Sequence, residues 1–190
     1  GHSSADYGTL IRWWNDQKCR TPLYIGQDVV RTMKAGQLKE KMRQSRMEKW
    51  VQGNIFWPAN ELLWNNEGIA DSLKRLYHRY PALIPAYSDL HDRKPDRVKR
   101  LRVEQTSRGQ VLRWEVDVSH QGQPDEPVYF VIYRFRKGEK ANIERSKAIY
   151  AITRTPSCPI PAGNVPCCYA VTAVDRFHNE SKARKVSVGK

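Results

Sequence analysis

The sequence is short of several things, and each shortage excludes something. No run of eighteen apolar residues occurs, so no segment reads as a membrane-spanning helix. Cysteine is confined to Cys19, Cys158, Cys167 and Cys168. None of these makes a CxxC pair, which argues against zinc. His2, His78, His91, His120 and His178 stand apart from one another and read as surface residues. Beside Arg79, His78 is a poor place for a metal ligand. Neither a glycine-rich phosphate loop nor a Ser-His-Asp order is present, so no cofactor and no metal is expected. The opening GHSSADYG lacks a basic segment followed by an apolar one and does not read as a signal peptide.

Acidic residues are also scarce. Twenty Asp and Glu face 33 Lys and Arg, for a net charge of +13. That balance admits a polyanion: nucleic acid, an acidic glycan or an anionic membrane surface. The cations are spread through both halves, densest at Asp92 to Arg102, where acids and Pro95 are mixed in. A solvated basic surface is the plainer account. With no spaced Cys and His and no aromatic RNA-reading strand, nucleic acid ranks last among the partners.

Hydrophobic residues make up 39% and charged residues 28% of the 190, which fits a globular chain of one or two domains. The pattern changes along it. Ala5 to Lys18 reads as a helix with Ser3, Ser4 or Asp6 as cap and Leu10, Ile11, Trp13 and Trp14 as its apolar side. The two tryptophans suit sugar stacking by their flat faces, although helix packing is the commoner role. Leu23 to Gly26 reads as a strand, Met33 to Gly36 as a loop, and Gln37 to Lys49 as a charged helix covering a sheet edge. Val51 to Trp57 is an apolar run of strand length ended by Pro58. Asn65, Asn66 and Gly68 lead into a helix with Ile69, Leu73, Leu76, Tyr77 and Tyr80 at helical spacing, stopped by Pro81. Strand followed by covering helix is half of a βαβ unit.

The pieces LYIGQ (Leu23 to Gln27), QLKEKMRQSR (Gln37 to Arg46), QGNIFWPANELLWNNEGIADSL (Gln52 to Leu73) and YPALIP (Tyr80 to Pro85) resemble, in order and spacing, the C-terminal end of the bacterial glycoside-hydrolase-like family-ten proteins. The resemblance implies a (β/α)8 barrel in the cell envelope or outside the cell. LYIG would be its seventh strand and GNIFW its eighth, with the first six outside this sequence. It implies peptidoglycan or a related polysaccharide as the target.

Tyr87 to Lys99 is polar, holds Pro95 and lacks apolar periodicity, so it reads as a linker. The domains are expected to be 1–94 and 95–190. Beyond it the period becomes two. Leu112, Trp114, Val116 and Val118 alternate in one strand; Val128 to Phe135, Ile149 to Thr153, CYAVTAVD and KVSV supply others. With Trp114, Tyr129–Val131–Tyr133 and Tyr169–Val171–Ala173–Val174–Asp175 as carriers, this half resembles a fibronectin type III domain, an all-β sandwich. The fold class is therefore α+β and multi-domain, a partial barrel followed by a sandwich. One departure stands out: the family's corner tyrosine is replaced by Cys167. Cys158 with Cys167 or Cys168 would close a short loop as a disulfide, and adjacent strand residues face opposite ways, so at most one of the two fits. Buried free thiols are the alternative.

Glycoside hydrolysis usually needs two facing carboxyl groups, which a barrel places at the C-terminal ends of its strands. Near those ends the chain offers only Asp28 and Glu61, and neither matches a motif acid of the resembled family. No catalytic residue is therefore assigned. A glycan-binding rim is the expectation instead: Tyr24, Gln27, Phe56 and Trp57 at the strand ends, with Arg46 for a glycan carboxylate. Two strands cut from a closed barrel leave edges open, so a homodimer is expected. Two other readings stay open: a glycan- or protein-binding spacer module, and a basic nucleic-acid binder.

Overall fold

The computed structural model describes residues 6–17, 22–161 and 165–189. Cys19 lies outside them, as do the ends of the helix expected at Ala5 to Lys18. The chain divides into two compact units, one up to Arg79 and one from Tyr80.

The first unit holds helix α1 (Tyr7–Asp16), strand β1 (Leu23–Asp28), helices α2 (Val29–Lys34) and α3 (Leu38–Met47), strand β2 (Val51–Trp57), and helices α4 (Ala59–Leu63) and α5 (Ile69–Ser72), which runs into a π-helical turn at Leu73–Tyr77. Asp6 caps α1, its carboxylate accepting from the Thr9 amide at 2.9 Å. That bond also lowers the Asp6 pKa. Asp28 caps α2, its carboxylate accepting from the Arg31 amide at 3.0 Å. The residues expected as a loop from Met33 are thus partly helical, because Asp28 starts a helix that the short apolar spacing did not reveal. The last helix ends at Tyr77 rather than Tyr80. A short helix, α4, occupies what read as loop after Pro58.

β1 and β2 pair in parallel, with Tyr24 opposite Gly53, Gly26 opposite Ile55 and Asp28 opposite Trp57. The core of this unit is Val29, Leu38, Met42, Ile69 and Leu73, with Phe56, Met33, Leu62 and Tyr77 packed against it. Leu38, Met42 and Ser45 fall on one stripe of α3 and are all buried, whereas Glu40 and Arg43 pair on the outside at 2.5 Å.

The second unit is a β-sandwich. One sheet has the order β3 (Lys99–Thr106), β4 (Gly109–Glu115), β7 (Ser157–Ile160); the other runs β6 (Ile149–Thr153), β5 (Tyr129–Arg136), β8 (Cys167–Val174), β9 (Arg184–Val188). Leu112, Trp114, Cys158 and Ile160 from the first meet Phe130, Ile132, Tyr169, Val171 and Ala173 from the second in one core. Alternation accounts for this: residues two apart on a strand share a face. β4 ends at Glu115, so Val118 is not the fourth inward residue of the strand; it sits in a short turn and is 77% exposed. Cys158 and Cys167 are buried free thiols, and burial raises the pKa of Cys158.

The stretch that read as a linker travels with the sandwich. The outer face of the four-stranded sheet, with Val131, Tyr133, Phe135 and Ala170, is covered by Leu83 and by Ala141, Ile143 and Ala148 from the β5–β6 connection. The Tyr87 amide donates to the Phe177 carbonyl at 2.9 Å, and Asn179 Nδ2 to the His91 carbonyl at 2.7 Å. Arg93 pairs with the buried Asp125 at 2.9 Å, and His120 approaches both Asp125 and Asp96. His120 and His91 are therefore engaged with neighbours rather than lying free at the surface. The compact units part between Arg79 and Tyr80, ahead of the Pro95 position that composition suggested.

Leu112 is fully buried between the sheets. Leu112→Ala is expected to cost about 2–5 kcal/mol. Ile152→Ala, at a half-exposed site, should change stability by less than about 0.5 kcal/mol. Chemical denaturation followed by far-UV circular dichroism measures both.

Candidate functional site

The C-terminal ends of parallel strands are where α/β folds collect ligands. In the first unit the ends of β1 and β2 lie side by side. Alternation sends Tyr24 and Gly26 of β1 to the same face as Gly53, Ile55 and Trp57 of β2. Exposure marks that face as open: Tyr24 is 37%, Ile55 58% and Trp57 51% accessible. Two glycines make room for the rings. A Cβ on Gly53 would come within 3.0 Å of the Tyr24 ring, and one on Gly26 within 3.7 Å of Trp57 Nε1. Each aromatic thus lies against a glycine of the neighbouring strand. The result is an aromatic platform, Tyr24 and Trp57 with the aliphatic Ile55, on a face without a covering helix among the described residues.

The opposite face is sealed, and a polar node holds it. Gln27 is 2% exposed. Its amide nitrogen donates to the Tyr7 hydroxyl and, at 2.9 Å, to Asn54 Oδ1. Ser45 Oγ donates to the Lys41 carbonyl at 2.7 Å and reaches Asn54 Oδ1 at 3.2 Å. The Lys41 ammonium sits 5.3 Å from the centre of the Tyr7 ring, and burial lowers its pKa, with Asp28 acting in the other direction. The node ties α1 and α3 to both strands. Within this node Gln27 Oε1 is left without a hydrogen-bond partner among the described residues.

The five residues expected to line a glycan rim therefore separate. Tyr24 and Trp57 share the open face. Gln27 lies behind the sheet in the polar node, because an odd step from Tyr24 turns it to the other side. Phe56 also faces inward, half-buried against the helical core and edge-on to His78 at 6.2 Å. Arg46 is exposed on α3, where its guanidinium bonds the Tyr77 carbonyl at the end of the last helix and lies 5.5 Å from that tyrosine's ring. The residues that composition did not single out are Tyr7, Ser45 and Asn54. Polar residues at buried stripe positions were the available signal.

The two carboxylates near the strand ends have structural partners. Asp28 caps α2 and pairs with Arg31 at 3.4 Å. Glu61 accepts from Asn66 Nδ2 at 2.7 Å. Glu61, Asn66 and Glu67 line a cavity of about 300 Å³ with Val29, Val30 and Ile69. An apolar groove of about 410 Å³ lies between α1 and β1, lined by Leu10, Trp14, Tyr24 and Ile25 among others. Trp13 and Trp14 are half-exposed and meet edge to face at 4.8 Å, so they are not core residues. Among the described residues no three His, Cys, Asp or Glu side chains assemble as a metal site.

No family model matches the chain. It is similar to the glycosyl hydrolase YngK of Bacillus subtilis (strain 168), 29% identical over 195 residues. The match covers 97% of this chain and 38% of YngK, so the chain spans well under half the length of that relative. Among solved structures, the glycoside hydrolase domain of Endo-D from Streptococcus pneumoniae R6 overlaps 51% of this chain and 15% of its own, at 11% identity and a TM-score of 0.37. The fibronectin-type protein FN3tt overlaps 50% of this chain and 91% of its own, at 20% identity and a TM-score of 0.36. The chain is thus weakly similar to a glycosyl hydrolase, and its second unit is a β-sandwich by its own two sheets. No helix among the described residues is long and apolar enough to cross a membrane.

His78 connects this site to pH. Burial, with the Arg46 charge adding to it, holds its pKa below the ordinary value of about 6.5. On acidification the unfolded chain takes up the proton first, so stability rises with pH in this range and is lost as pH falls below about 6.5. Glu40, held down to about 2 chiefly by Arg43, does not titrate there. The first unit should unfold at lower denaturant at pH 5.5 than at pH 7.5, and His78→Phe should shrink that difference.

Proposed function

We propose that the first unit is the last two βα repeats of a (β/α)8 barrel of the glycoside-hydrolase-like family-ten kind. On this reading the chain is the C-terminal portion of a protein of the cell envelope or extracellular space, acting on or binding peptidoglycan or a related polysaccharide. The observation that carries it is the aromatic platform. Two adjacent parallel strands have helices on one face and expose Tyr24, Ile55 and Trp57 on the other. In a barrel the outer face carries helices and the inner face meets other strands, with ligands at the C-terminal rim. The similarity to a glycosyl hydrolase along nearly the whole chain supports the same reading.

Within it, Trp57 at the C-terminal end of β2 is the rim contact for glycan, and Tyr24, on the same open face but opposite Gly53 near the start of β1, is a contact set further down that face. A flat ring buries the apolar face of a sugar with little entropy to lose. Arg46 lies away from them and would meet a carboxylate only on release of the Tyr77 carbonyl. Catalysis belongs to the longer protein: Asp28 and Glu61 already serve a helix cap and a loop bond. Where the remaining strands are absent, the open strand edges and the face around Ile55 pair with a second copy, giving a homodimer that leaves Trp57 at the rim to the glycan.

Co-sedimentation with purified insoluble peptidoglycan tests the platform. Wild-type chain should be retained, and Trp57→Ala should weaken retention roughly tenfold, about 1.4 kcal/mol. Equal retention of the two proteins overturns the assignment. No glycan turnover is expected from this chain alone; turnover abolished by Asp28→Asn or Glu61→Gln would contradict that.

A further inference from the structure

The sandwich carries a groove of different chemistry from the aromatic platform of the first unit. It holds about 1030 Å³, at the top of the range for small-molecule pockets, and is lined by Tyr80, Arg134, Arg136, Lys137, Lys147 and Glu139 among others. Arg134 and Arg136 leave β5 on the same side, roughly 7 Å apart by strand geometry. Lys137 follows in the next turn, and Lys147 comes from the turn Ser146–Ala148 before β6. All four are exposed.

The charges here are not balanced within the unit. Its ion pairs among the described residues use Arg93, Lys99, Arg100, Arg102, Arg113 and Arg145, and none of the four lining cations. Arg134 leans toward the Tyr169 ring at 5.9 Å and makes no ion pair among the described residues, leaving its charge unneutralised. Glu139 is the lining carboxylate, and it already accepts from Arg145 Nη1 at 2.7 Å and from the Arg136 amide. Four like charges around one open groove repel one another, and an anion laid along it relieves that repulsion.

We propose that this groove binds a carboxylate-bearing polysaccharide, with Arg134, Arg136, Lys137 and Lys147 contacting its acid groups. Guanidinium forks match carboxylates in bidentate fashion, and the lysines add point charges. The open shape suits a chain that continues past both ends. Single-stranded nucleic acid is the poorer match, since its binders present successive stacking aromatics and this groove offers the ring of Tyr80. The proposal concerns the second unit alone and does not depend on the barrel reading of the first.

Titration with polygalacturonate oligomers, followed by calorimetry at about 0.15 M salt, tests it. The exposed triple variant Arg136→Glu, Lys137→Glu, Lys147→Glu should bind at least tenfold more weakly. A second triple, Lys182→Glu, Arg184→Glu, Lys185→Glu, changes the net charge equally at another place and should lose less than twofold. Dextran, a neutral polymer, should not bind. Equal loss in both triples overturns the proposal, because only overall charge would then matter. So does undiminished binding by the groove variant, or tighter binding of a single-stranded oligonucleotide of matched charge. Lys147→Glu alone, in an exposed turn, should give a partial loss with an unchanged melting temperature.

Discussion

A parallel strand pair has two faces and two edges, and water is a poor neighbour for all of them. That constraint governs the first unit. α1, α3, α5 and the polar node around Gln27 cover one face, where Ile25, Asn54 and Phe56 are half-buried, while Tyr24, Ile55 and Trp57 stay in solvent on the other. Burying a large apolar side chain is worth roughly 1.5–3 kcal/mol, against a total stability of about 5–15 kcal/mol for a domain. Leaving several uncovered is a substantial omission for a fold to make. The glycines at 26 and 53 fit this picture, because they leave room for rings on the open face and have no packing role on the closed one.

The second unit meets the same constraint in the opposite way. Its four-stranded sheet is covered on both sides, inward by the three-stranded sheet and outward by Leu83 and the β5–β6 connection. Tyr133, fully buried, donates its hydroxyl to Glu180 at 2.5 Å, and the Thr172 hydroxyl reaches the same oxygen at 2.6 Å. Burial, then Glu180, raises the Tyr133 pKa far above its usual range. The turn after β8 is held by Asp175, which accepts from the Phe177 and Asn179 amides at 2.8 and 2.9 Å. Through Asn179 the same turn anchors the stretch before β3.

Much of this was legible in the sequence. Period two marked β4, β5, β6, β8 and β9, since a half-covered strand must alternate. The cap of α1 was legible to within three residues, Ser3, Ser4 and Asp6, of which Asp6 serves. The packing of the stretch from Tyr87 to Lys99 was not: its partners Asp125, Phe177 and Asn179 lie far along the chain, one of them 88 residues from His91, and polar composition resembles a linker whether or not such partners exist. The binding rim was half legible. Tyr24 with Gln27, and Phe56 with Trp57, are each separated by an odd number of residues, so alternation alone puts them on opposite faces. Proximity to the strand ends outweighed that rule in the reading, and the structure reinstates it.

The central proposal is that the open face around Ile55 takes a second copy of the chain as its partner. Sedimentation velocity across micromolar concentrations, on the wild type and on Ile55→Lys, tests it most directly. The account predicts a concentration-dependent dimer for the wild type and a monomer of unchanged circular dichroism for Ile55→Lys. A wild-type monomer at every concentration, with slowly exchanging amides along the outer edges of β1 and β2, would contradict it.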